Sequence, residues 1–183
     1  MSGIHAVVTS YVRDQLERIL MTEVPVGDPA RPGVVKLGPL QGSPDPDEAR
    51  ISLEIYENDP DQEISGSAIG RVTEPWDDQV EEIEIGGVVT WKRMFTVKAR
   101  CLLERSQEDL AAAREIASTV RSRIEKGLLS MRFNGLSAEE GEYVSRGAVS
   151  DRIRCAMVQL GGPPDAYDYQ IKVRFEILTT TKG

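Results

Sequence analysis

Carboxylates are the only chemistry-bearing residues that this chain concentrates. Asp45, Asp47 and Glu48 form one group, Asp59, Asp61 and Glu63 a second, and Glu74, Asp77 and Asp78 a third. Such groups can hold a divalent cation or divide acid and base roles across a glycosidic bond. Neither pattern is complete here. A calcium loop needs a central glycine and a terminal bidentate glutamate, which this spacing lacks. Glycoside hydrolysis needs an aromatic-lined cleft, and aromatic residues make up only 5% of the sequence. Solvated loop charge is the simpler reading, and a carboxylate- or metal-dependent hydrolase is the alternative. His5 is the only histidine, so one subunit cannot assemble a His-based triad or a His-rich metal site. No glycine-rich phosphate loop is present. Cys101 and Cys155 fall on the apolar side of expected strands and read as buried thiols of a reducing compartment, with a disulfide between adjacent strands or a reactive thiol as the alternative. The expectation is a protein with no catalytic residue, no metal and no cofactor.

A few residues are better suited to contact than to catalysis. Trp76 stands between Pro75 and Asp77 in a polar stretch, where a large ring either folds back or presses on a partner; the second option keeps a ligand-binding module open. Tyr167 and Tyr169 flank the last turn and are candidates for a subunit interface. Arg146, Arg152 and Arg154 read as the solvent face of a strand. With Lys172 and Arg174 on the final strand, Arg152 and Arg154 offer a basic surface. Asp45, Asp47, Asp77 and Asp78 offer an acidic one that a neighbouring copy could present to it.

The elements that must position these residues follow from periodicity. Val8, Tyr11, Val12, Leu16, Ile19 and Leu20 form one stripe, predicting an amphipathic helix from about Ile4 to Met21. Pro25, Pro29 and Pro32 end it. Val34 to Leu37 reads as a short strand, and Ile51, Leu53 and Ile55 mark a half-buried one. Ile69 and Val72 hint at another. Val80 to Ile85 and Val88 to Leu103 flank Gly86-Gly87, a two-residue hairpin signal. The first arm is acidic and the second basic, so cross-strand pairing is expected. Ser106 is the expected N-cap of a helix whose stripe is Leu110, Ala113, Ala117, Val120, Ile124 and Leu128, with Gly127 or Gly135 ending it. Asp151 to Leu160 and Tyr169 to Thr180 alternate again, around the turn Gly161-Gly162-Pro163-Pro164-Asp165. Residues 38–48, 58–78 and 130–147 read as projecting loops. The fold class is α+β: a single domain with a mostly antiparallel β-sheet, an N-terminal helix and one long helix packed on it, plus long exposed loops.

Composition narrows the functional classes. The chain has 183 residues, 40% of them apolar and 28% charged, enough for an ordinary core without metals or disulfides. A net charge of −8 argues against nucleic-acid binding as the main task, although an acidic surface can let DNA pass without gripping it. The N-terminal residues do not read as a secretory leader, and no apolar run approaches the length needed to span a bilayer. A soluble protein without membrane contact is expected.

The order of an N-terminal amphipathic helix, a proline-rich segment, a long hairpin, a helix and the closing strand Tyr169-Gln-Ile-Lys-Val-Arg-Phe-Glu-Ile-Leu-Thr-Thr-Thr180 resembles the tail-terminator proteins of tailed bacteriophages. These are the tail-completion proteins of the minor tail protein U type, with related neck proteins. The resemblance is one of pattern and length, with extra residues in the three loops. It implies a homo-oligomeric ring, usually a hexamer, that caps the tail tube, ends its polymerisation and docks the head connector. DNA would pass through the lumen without specific binding. The partners implied are further copies of the chain, the tail-tube protein and the head–tail connector, and the places implied are the virion tail or neck and the host cytoplasm during assembly. Head-completion or tail-tube subunits are the neighbouring reading.

Overall fold

A computed structural model describes residues 4–37, 50–57, 80–85, 88–137, 143–150, 153–161 and 164–182. Helix α1 (Ile4–Glu17) continues into one π-helical turn, Arg18–Thr22. Val8, Val12, Leu16 and Leu20 recur every four residues and are all buried, so the stripe read from the sequence is the buried face. Beyond it the Arg31 guanidinium donates to the Met21 carbonyl at 2.8 Å, satisfying an acceptor that the helix end leaves open.

Seven strands make one sheet: β1 (Val34–Leu37), β2 (Ile51–Glu57), β3 (Val80–Ile85), β4 (Val88–Glu104), β5 (Tyr143–Val149), β6 (Arg154–Leu160) and β7 (Ala166–Lys182). Strands β4 and β7 are each 17 residues long and pair antiparallel from Val89↔Thr181 to Glu104↔Ala166. Their outer edges are shared end to end. Along β4, β3 pairs with residues 88–93 and β2 with residues 95–101. Along β7, β6 pairs with residues 168–174 and β5 with residues 177–182. Among the described strands, only β1 and β2 run parallel. The α+β, mostly antiparallel reading is the observed class. In the hairpin's backbone register Glu81 lies opposite Lys92, Glu82 opposite Trp91 and Glu84 opposite Val89.

Alternation decides the two faces. Phe95, Val97, Ala99, Cys101 and Leu103 of β4 lie beside Tyr169, Ile171, Val173, Phe175 and Ile177 of β7, and Ile51, Leu53 and Ile55 of β2 complete the layer. Helix α2 (Leu110–Ser130) and α1 cover this face, contributing to one contiguous core. The Phe95 and Phe175 rings, opposite in register, stack with centroids 5.6 Å apart.

Several expectations shift in detail. The N-cap of α2 is Asp109, whose side chain accepts from the Ala112 N–H at 2.8 Å. Ser106 lies in the preceding turn, which is closed by the Gln107 and Glu108 amides bonding to the Glu104 carbonyl. Leu110, in the first turn, faces outward, and Ile116 joins the buried stripe instead. Gly127 does not end α2. It sits at the crossing with α1, where an added Cβ would come within 3.3 Å of Ile19 Cγ2. Gly135, at φ +80°, serves the next turn. Residues 130–147 are not wholly a loop, because β5 begins at Tyr143. A bulge between Val144 and Arg146 and a glycine at 147 break its alternation, which hides it from a period-two reading. Ile69 and Val72, with all of the two earlier loops at 38–48 and 58–78, lie outside the described residues.

Candidate assembly surface

The sheet face turned away from the helices carries charge. Register builds it in rows. Lys36, Glu54, Lys98, Lys172 and Ala156 form one row across β1, β2, β4, β7 and β6. Tyr56, Thr96, Arg174 and Arg154 form the next row on one side, and Ser52, Arg100, Gln170 and Val158 the next on the other. Six cations therefore share the face with Glu54, Asp168 and Glu176, although the chain as a whole is acidic. Lys98 and Lys172 stand directly opposite, an arrangement that costs stability unless acidic groups intervene. Glu54 lies beside Lys98 in register, and both lysines have interacting partners.

Asp168 anchors one end of the face. Its side chain is only 4% exposed, yet both oxygens are used, accepting from Arg100 Nε at 3.1 Å and Nη2 at 2.7 Å. This two-pronged contact raises the Arg100 pKa further and fixes its direction. Between Arg100, Lys98, Glu54, Ser52, Gln170 and Leu160 lies a hollow of about 340 Å³. Its lining can orient polar or anionic groups electrostatically.

The edges differ from the face. β6 pairs only with β7, and β1 only with β2, among the described residues. β6 reads Arg-Cys-Ala-Met-Val-Gln-Leu, with a single charge. Val158 is 53% exposed and Leu160 is 38% exposed. Edge strands are normally guarded by charges, prolines or bulges, because their open backbone invites another strand. This one has only Arg154.

The sequence candidates separate accordingly. Arg154, Lys172 and Arg174 are brought together: Arg154 is opposite Arg174, and Lys172 is two residues along the same face. Tyr169 is corrected as an interface residue. It occupies an inward register position opposite Cys101 and is 3% exposed. Tyr167 is half-buried on the same side, with the Arg105 guanidinium carbon 4.7 Å from its ring centroid. Asp45, Asp47, Trp76, Asp77, Asp78 and Arg152 lie outside the described residues. The sequence reading missed Lys98 and Arg100 as members of the basic face and Val158 and Leu160 as an open edge. Their alternation was visible, but the register that aligns three strands was not.

Among the described residues no three His, Cys, Asp or Glu side chains gather as a metal site. Both cysteines are free. Burial pushes the Cys101 thiol up to about 12 and the Cys155 thiol up to about 11, so each is protonated and weakly nucleophilic at neutral pH. No helix among the described residues is long and apolar enough to cross a membrane. In comparisons with known proteins, no family model and no curated sequence matches the chain.

Proposed function

We propose that this chain is a structural virion protein that forms a ring on the phage tail tube, ends tube polymerisation and presents a docking surface to the head connector. The observation that carries the reading is the junction of two surfaces at one side of the sheet. An apolar strand edge with one charge adjoins a face bearing Arg154, Lys172 and Arg174. A surface of that kind suits a repeated, heterologous contact between copies better than turnover of a small molecule. The element order shared with tail terminators supports the same reading. A head-completion or tail-tube subunit is the neighbouring station.

The basic face has a place in this scheme. In a ring it meets the acidic segments of the next copy, Asp45, Asp47, Asp77 and Asp78. The net negative charge of each copy then leaves DNA free to pass through the lumen without specific binding.

Light scattering on the purified chain, alone and with the tail-tube protein of the same virus, tests the proposal. A closed assembly of about six copies, formed alone or on the tube, and an arrest of tube growth are expected. Unlimited growth of this chain by itself would move it to a tube role. A 20.2 kDa monomer that ignores the tube would overturn the reading.

A further inference from the structure

We infer that neighbouring copies join strand to strand, β6 of one copy pairing antiparallel with β1 of the next. This rests on the assembly reading above and names the surface that performs it. Two edges that pair with no further strand among the described residues lie at the same level. Counting along the register, Val34, Ser52, Arg100, Gln170 and Val158 fall in one row, and Leu37, Ile55, Val97, Val173 and Cys155 in another. The four residues of β1 therefore stand level with Cys155–Val158 of β6, at opposite margins of a five-stranded band.

Direction and facing agree as well. β1 runs parallel to β2, and each later step across the band is antiparallel, so β6 runs opposite to β1. Placing a second copy beside the first, in the same orientation, sets β6 against β1 as an antiparallel pair. In the level register, Met157 meets Val35 and Cys155 meets Leu37. All four are buried or partly buried residues packed on the helix-covered side. Val158 meets Val34, and Ala156 meets Lys36, on the other side. No like charges oppose one another, and the apolar layer continues across the junction. A slip of two residues keeps these faces, whereas a slip of one exchanges them, so parity restricts the pairing.

The occupant of the β6 edge is thus a second copy of this chain. Contact between two different edges is heterologous. It continues from copy to copy and closes into a ring when the rotation per copy divides a full turn.

Two changes test the pairing. Val158 is exposed, so Val158→Lys places a charge on the edge without entering the core. The expected result is at least a tenfold weaker assembly, with a thermal midpoint unchanged when both proteins are measured as dilute monomers. The second test is the double variant Val34→Cys with Val158→Cys, oxidised and run without reductant. Within one copy these positions are four strands apart, roughly 19 Å at the usual strand spacing. A disulfide needs Cα atoms closer than about 7 Å, so any bond between them joins two copies. A ladder of covalent multimers, absent from each single variant, supports the pairing. Rings that form without the ladder and ignore Val158→Lys overturn the pairing and leave the terminator reading standing. A ladder from open fibres that never close supports the pairing and overturns the ring. A monomer under every condition, tube protein included, overturns both.

Discussion

Phe133 stands where a side chain at Gly147 would have to go: a Cβ built at Gly147 would lie 2.7 Å from the Cβ of Phe133. The Phe133 amide also donates to the Gly147 carbonyl at 3.0 Å, and the Gly147 amide donates to Asn134 Oδ1 at 3.2 Å. The segment after α2 is thereby held flat against β5, and Phe133 reaches the Tyr11 ring of α1, with centroids 5.3 Å apart. Gly147→Ala must push these parts away from each other. A loss of about 1–3 kcal/mol is expected, since overpacking a tight contact costs that much. A lowered urea midpoint with an unchanged slope is the measurement.

Thr179 lies opposite Gly147 in the same inward row, 1% exposed, and its hydroxyl has no hydrogen-bond partner among the described residues. An unpaired buried hydroxyl is a liability that an isosteric methyl removes. Thr179→Val is expected to raise stability by up to about 1 kcal/mol. A fall in the thermal midpoint would show that the hydroxyl has a partner after all.

Removing Arg100 should cost more than removing the charge from Asp168. Arg100 is partly solvated, whereas Asp168 is nearly enclosed. Arg100→Ala leaves a buried carboxylate with neither of its two guanidinium bonds. Asp168→Asn keeps the shape and one acceptor. A double-mutant cycle should give a coupling of about 1–3 kcal/mol, the range for a charge-assisted bond that is partly buried.

The loop that follows α1 is tied to α2 by Arg123, whose nitrogens lie 3.1 and 2.7 Å from the two oxygens of Asp28. The guanidinium, helped by the Ala30 amide, holds the Asp28 pKa below its ordinary 3.8. A depressed carboxylate pKa stabilises the folded state above the unfolded value and is lost as pH falls through the folded one. Wild type should therefore exceed Asp28→Asn in stability at pH 6, by about 1 kcal/mol or less for so solvated a pair, and the gap should close below pH 3.8. Urea midpoints of both proteins across that range decide it.

Thiol labelling gives an independent check on burial. With Cys101 pushed up to about 12 and Cys155 up to about 11, both should resist maleimide in the folded protein at pH 7. Cys155, which is only half-buried, should react first as pH rises. Prompt labelling of Cys101 would contradict its place between the sheet and the helices.

The layers of this fold were legible where one period runs undisturbed. Leu53, Val97, Ala99, Ile171 and Val173 alternate without a break, and Val12, Leu16 and Leu20 repeat at helical spacing, so faces followed directly. β5 was not legible, because the Val144/Arg146 bulge breaks its alternation and Gly147 answers to Phe133, a neighbour only in the folded chain. The candidate surface was legible in part. Arg154, Lys172 and Arg174 declare themselves as outward residues, but their convergence with Lys98 and Arg100 depends on a register between distant strands. Tyr169 misled for a related reason. Its type suits an interface, and only its place opposite Cys101 turns it inward.

The β4–β7 ladder also governs the order of events during folding. Its partners are roughly sixty to ninety residues apart in sequence, so each pairing must close a long loop before it is rewarded. The β3–β4 hairpin and α2 involve near neighbours and can form while the chain is still emerging. One of the two long inner strands, β7, is by contrast the last of the seven described strands. Until β7 arrives, β4 has an unpaired edge and an uncovered apolar row. That edge is open to strands of neighbouring chains until β7 is made, so slow synthesis of β7 would favour tangled association.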